Sequence, residues 1–366
     1  MLRRVEEYAS LGVHRTGGPA DDATVDWMAE ALEQVGLAVE RRPAPYPGWS
    51  GRSELLVAGE RVEHLLVPHG WNGSVDTDDV TVESFDPRSG GHSSVLDDAV
   101  VAHAGDGRPL ILATEHPEGE LVGVNRHDLG VQWNHPVVLC AGRDAARLEA
   151  GPIHLVAEGR AHDAVATNLV ARNTVDGPPL VLTTPLNGWF GCAGERGTGI
   201  AVLLELVDRL ADLPLLVLAT TGHELGYFGV EALMPWLRGQ RLAAVFHVGA
   251  SVAVLAPAAD GHRALAPTRV AFTSVSDEVA APIGAALSAA ELRLHAATDR
   301  WLGEATVLAD LPAPLLSVTG AGRDFHTPAD TPERATSADA LATVADSFEL
   351  AARHLHELSR SNLTVT

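Results

Sequence analysis

From residue 165 onward, uninterrupted apolar runs alternate with stretches of helical periodicity, and this alternation constrains the fold more than any other feature of the chain. VATNLVARNT, PPLVLTTP, LPLLVLAT, RLAAVFHVG and APLLSVTG read as strands. GIAVLLELVDRL, EALMPWLRG and the stretch from Asp277 to Leu292 read as helices between them. Residues 337–358 place Leu341, Val344, Phe348, Ala351, Leu355 and Leu358 on one helical face. A strand that is apolar on both faces must be covered on both. The pattern therefore predicts an α/β three-layer sandwich with a largely parallel mixed sheet. Nearer the N-terminus, DDATVDWMAEALEQV reads as a helix with acidic residues at its start and Gly36 as its stop, followed by a strand, LAVERR. RPAPYPGWSG carries three prolines within five positions and is expected to continue neither element.

The chain has 366 residues, enough for two domains or for one large domain with an insertion, at roughly 100–200 residues per domain. Between about 46 and 159 the character changes: short apolar runs such as LLVAG, PLILATEH, HPVVLCAG and IHLVAEG are broken by turn residues. The expected division is residues 1–45 with 160–366 as the main α/β domain, and 46–159 as an inserted, mainly β domain.

Charge and composition exclude several function classes. The 26 basic against 48 acidic residues leave a net charge of −22, a field that repels nucleic acid and anionic membranes, so neither is an expected partner. Every basic residue is arginine; without lysine there is no Schiff-base lysine and no P-loop lysine. Two cysteines, Cys140 and Cys192, cannot by themselves form a disulfide framework or a cysteine-rich zinc site. No apolar stretch approaches the roughly 20 residues of a membrane span. The first residues, MLRRVEEYASLGVHRTGG, lack the apolar run of a signal peptide, so the expected location is cytoplasmic. Oligomeric state is not readable from the sequence.

In sheets of this kind, ligands bind beyond the carboxyl ends of the strands. PLVLTT leads into PLNGWFGCAGERGTG, LLVLAT into TGHELGYFG, AAVF into His247, and LLSVTG into AGRDFHTPADT. Four strand ends thus bring Glu195, His223, Glu224, His247 and His326 towards one edge, a donor set that suits zinc or a similar divalent metal. Each residue also has a plain reading: Glu195 solvated in a Gly-rich loop, His247 a core histidine, His326 ordering a turn. His223–Glu224 is not the HExxH zinc helix, because the fourth residue after His223 is Tyr227.

The order of these motifs resembles the co-catalytic zinc aminopeptidases of peptidase family M28, which include glutaminyl cyclases. HRTGGPADDATVDWMAEALEQVGLAVE resembles the family's opening helix and strand, and ATNLVARNTVDGPPLVLTTPLNGW the strand pair before the first metal motif. GERGTGIAVLLELVDRL corresponds to the Asp-Asn-Ala-Ser-Gly turn and its helix, and HELGYFGVEAL to the Glu-Glu-x-Gly-x-x-Gly-Ser motif. TDRWLGEA resembles the Ser-Asp-His segment, and FHTPADTPE the terminal His-Thr-x-x-Asp motif. The resemblance implies a phosphorylase/hydrolase-like fold, and HPVVLCAGRDAARLEAGPIHLVAEG resembles a protease-associated lid domain.

Departures from the family pattern define what the resemblance implies for function. Pro185 and Asn187 stand at the His-x-Asp positions, which removes one zinc ligand. Glu195 replaces the bridging aspartate, His223 the general base, and His247 the aspartate that closes the first zinc site; Glu224 and His326 match their family counterparts. The implied reading is a divergent metallopeptidase-like hydrolase acting on an amide or peptide-like small substrate through one divalent metal, zinc or another. Glu195, Glu224 and His326 would be its ligands and His247 a possible fourth. His223 would transfer protons, and Asp299 would orient His247 or His326 from behind. The alternatives are a metal-free pseudoenzyme serving as a binding or structural module, and a glutaminyl-cyclase-like acyltransferase. Trp189, Phe190, Tyr227 and Trp301 could line a pocket or simply pack, and Asp330 is expected to brace its turn.

Overall fold

The computed structural model describes residues 1–87, 96, 107–130, 133–257 and 262–358; parts of the expected insert, 88–95, 97–106, 131 and 132, lie outside the described residues. Among the described residues, ten strands form one sheet. Its order is Leu294–His295, Val270–Thr273, Leu315–Thr319, Ala244–Val248, Leu180–Pro185, Leu215–Thr220, Ile153–Arg172, Ala38–Val57 and Glu60–Arg61, with Gly73–Thr77 also paired to Ile153–Arg172.

The four central strands, from Leu315–Thr319 to Leu215–Thr220, are mutually parallel. Their side chains alternate between two cores. Leu180, Leu182, Leu215, Val217, Ala244 and Phe246 pack on one face with helices Asp21–Gln34, Thr198–Arg209 and Ala338–Leu358. Val181, Leu216, Leu218 and Val245 pack on the other with Phe228–Leu237 and Ala305–Leu308. This period-2 division, with both sides apolar, is why these runs show no polar alternation in sequence.

The expectation of a largely parallel sheet needs correction, because the flanks are antiparallel. Val270–Thr273 runs against Leu315–Thr319, and Ile153–Arg172 against both Leu215–Thr220 and Ala38–Val57. The chain leaves the main sheet along Ala38–Val57 and returns along Ile153–Arg172 as two arms of one ladder, so no crossover helix is required.

RPAPYPGWSG is also corrected: it is strand throughout. Pro43, Pro45 and Pro47 lie opposite Thr167, Val165 and Asp163. Successive amides of a strand point to opposite edges, so prolines at every second position withdraw N–H groups from one edge only. That edge has no strand partner here, since Glu60–Arg61 pairs only with Leu56 and Val57. An open edge is where a strand tolerates proline.

The two arms carry a second sheet, ordered His64–Leu66, Val137–Ala141, Leu110–Thr114 and Thr81–Phe85, with the last three parallel. The insert limits near 46 and 159 fall inside the ladder, where Tyr46 faces Ala164 and Gly51 faces Gly159. The β-rich segment therefore grows out of continuous strands and is not set off as a distinct lid domain.

Candidate functional site

All four central strands point their carboxyl ends at the same edge, and the loops beyond them carry the polar residues. Glu195 and Arg196 sit on the turn Ala193–Gly197, immediately before helix Thr198–Arg209. Asp330 braces this turn, its two carboxylate oxygens accepting from Gly194 N at 2.8 Å and Glu195 N at 2.9 Å. His223 and Glu224 occupy a short turn bounded by Gly222 and Gly226, with φ of +73° and +83°. A Cβ on Gly222 would also collide with the Phe228 ring, so the position admits only glycine. His247 lies within its strand, and His326 adopts φ +62°, uncommon for a side-chain-bearing residue.

The acidic and imidazole groups each have a different partner. The Arg196 guanidinium Nη2 lies 2.8 Å from Glu195 Oε1, both side chains being 1% exposed. The approach angle makes this an ion pair rather than an aligned hydrogen bond. Arg196 Nε donates to Asn187 O at 2.7 Å. His326 Nε2 approaches the same Glu195 oxygen at 3.2 Å. Burial pushes the Glu195 carboxyl up, but the charges of His326 and Arg196 outweigh it and hold it at about 2.

Glu224 faces the N-terminal segment, where its Oε1 accepts from Thr16 N. Burial raises its pKa, partly offset by that amide. Asn187 is a bracket: its Nδ2 donates to His14 O at 2.9 Å and Asp21 Oδ1 at 2.8 Å.

His223 Nδ1 meets Glu304 Oε1 at 3.3 Å, and Glu304 Oε2 accepts from Thr220 Oγ1 at 2.6 Å. Burial, reinforced by Arg196, lowers the His223 pKa well below the usual imidazole range, and burial raises that of Glu304. Burial thus disfavours the charged form of each group, the imidazolium of His223 and the carboxylate of Glu304. His247 Nδ1 meets Ser317 Oγ at 2.9 Å, and burial lowers its pKa to about 4.

This arrangement does not fit a divalent metal. Among the described residues, no three or more His, Cys, Asp or Glu side chains converge to hold one. Glu195 Oε1 lies against the Arg196 guanidinium, Glu224 Oε1 accepts from Thr16 N, and Nδ1 of His223 and of His247 meets Glu304 and Ser317, which leaves Glu224 Oε2 and His247 Nε2 without a hydrogen-bond partner. Of the expected ligands, the structure brings Glu195 and His326 into contact, while Glu224 and His247 have separate partners. Asp299 is exposed; Ser317 and the Gly123 carbonyl hold Nδ1 of His247 and His326.

Arg196 and Glu304 were not among the residues the sequence singled out. The signal for Arg196 is an arginine two positions before a helix whose first seven residues, Thr198 to Leu204, are apolar or small and buried; a charge placed there must find an anion. Glu304 precedes the apolar turn Ala305–Leu308 in the same way. The insert also reaches the site. Gly123 N donates to His326 O and Arg126 N to Glu224 O, both at 2.8 Å, and Trp189 Nε1 donates to Asn125 Oδ1 at 2.8 Å. Glu118 clamps this strap to the main domain through Arg323 and Arg334. Cys140 and Cys192 are free buried thiols.

No family model and no curated protein matches the sequence. Solved structures do match. A peptidase M28 precursor from Shewanella amazonensis superposes with a TM-score of 0.75 at 17% identity, covering 100% of this chain and 94% of that one. A zinc aminopeptidase from Bacillus subtilis gives 0.68 at 14%, covering 96% and 93%. An aminopeptidase from an Aneurinibacillus strain gives 0.57 at 15%, covering 97% and 94%. At these identities the likeness concerns the backbone: the chain has the fold of these peptidases.

Proposed function

We propose that this protein is a metal-free binding module built on an aminopeptidase-like fold, which holds a small or peptide-like molecule at the carboxyl ends of its central strands. The observation that carries this reading is the buried Arg196 guanidinium against Glu195. A fixed cation placed there neutralises the carboxylate that the family resemblance assigns to a metal, and a divalent ion beside it would be repelled. The hydrolase reading keeps one specific support, the His223–Glu304 pair, because a carboxyl-oriented imidazole is a common proton-transfer device. The test is a turnover screen of aminoacyl, N-acyl and N-terminal glutaminyl substrates, with and without added zinc, manganese or cobalt. No turnover above background is expected. Metal-dependent turnover that falls about 10²–10⁴-fold in His223→Ala, the usual contribution of an acid–base group, would establish the hydrolase instead.

A further inference from the structure

The strand-end site opens into a cavity of about 500 Å³, within the usual range for small-molecule pockets. Segment Val122–Asn125 of the insert forms one wall, the Tyr227 and Phe325 rings lie on others, and Leu302, 42% exposed, stands among the lining residues. In a chain with 48 acidic and 26 basic residues, no aspartate, glutamate or arginine is among the described residues that line this cavity. The nearby carboxylates lie one layer behind, engaged by Arg196, Thr16 and Thr220. Polar groups at the wall include four imidazoles, His127, His223, His247 and His326. His247 is the most telling. It is 1% exposed, Ser317 holds its Nδ1, and its Nε2 has no hydrogen-bond partner. A buried polar atom left unpaired costs free energy that a bound partner recovers.

We infer that the cavity takes a neutral, amide-bearing molecule, with apolar groups against the aromatic and aliphatic walls and an amide group paired to His247 Nε2. This rests on the binding-module reading and narrows its ligand class. A free ammonium or carboxylate would be stripped of water there without gaining a counter-charge.

The test is calorimetric titration of the whole protein at about pH 6, where an α-amine is protonated and a carboxylate ionised. The probes are N-acetyl-leucinamide (neutral), leucinamide (ammonium) and N-acetyl-leucine (carboxylate). The neutral probe is expected to bind at least about tenfold more tightly than either charged one, since an unpaired buried charge costs more than the roughly 1.4 kcal/mol that a factor of ten represents. Leu302→Trp, at an exposed position, should abolish that binding, and His247→Phe should weaken it. Equal or tighter binding of a charged probe overturns the ligand class and leaves the binding module standing. Neutral-probe binding that survives both substitutions places it outside the cavity and overturns the inference. Failure of all three probes overturns the inference and the binding-module reading together.

Discussion

Arg196 and Glu195 are both 1% exposed, and neither charge is tolerable without the other. Removing one partner of such a buried pair leaves an uncompensated charge and typically costs about 3–5 kcal/mol. Arg196→Met should therefore lower the urea-unfolding free energy by about that amount, and the double variant Glu195→Gln/Arg196→Met should recover part of it. A double variant as unstable as Arg196→Met alone would mean that the pair is not coupled. The pH dependence follows from the lowered Glu195 pKa, about 2 in the fold against a reference of 4.5. A carboxylate with a depressed folded pKa stabilises above its unfolded value, and that contribution disappears as pH falls through the folded one. The stability difference between wild type and Glu195→Gln should be full above about pH 4.5 and shrink towards about pH 2. Glu195 and His326 were readable from strand-end placement alone. Arg196 was not, because an arginine in a Gly-rich loop resembles a solvated one until the packing of its turn is known.

At the scale of elements, the apolar strands and the helices between them were legible because both faces of each strand are buried, which leaves long unbroken runs. The ladder between Ala38–Val57 and Ile153–Arg172 was not, because its outer half alternates small, polar and proline residues that resemble a loop. Pro43, Pro45 and Pro47 are exposed on an open strand edge, and an open edge is a template for pairing with another chain. Replacing all three with valine should increase self-association measured by light scattering; unchanged scattering would show that the prolines do not guard that edge. The strap from the insert gives a second prediction. Glu118 is partly exposed where it meets Arg323 and Arg334, and exposed ion pairs contribute only about 0–1 kcal/mol to global stability. Glu118→Ala should leave global unfolding within that range yet speed hydrogen exchange at Gly123 and Arg126, whose amides bond to His326 and Glu224. Unchanged exchange at both amides would show that the clamp does not hold the strap.

At the scale of the whole molecule, no helix among the described residues is long and apolar enough to cross a membrane. The fold is shared with zinc aminopeptidases, and at its strand ends the Arg196 guanidinium lies against Glu195; in the reading proposed above, this cation stands where those enzymes hold a metal. A bound metal stabilises the native state by mass action, about 2.7 kcal/mol at a hundredfold excess over its Kd; neither added zinc nor a chelator should therefore shift the melting temperature here. The most direct measurement is elemental analysis of the wild-type protein, purified without added metal or chelator and passed through gel filtration. The expected result is zinc, manganese and cobalt each far below one equivalent per chain. A full equivalent of any of them, retained by wild type and lost in Glu195→Ala, would contradict the claim that Arg196 has taken the metal's place.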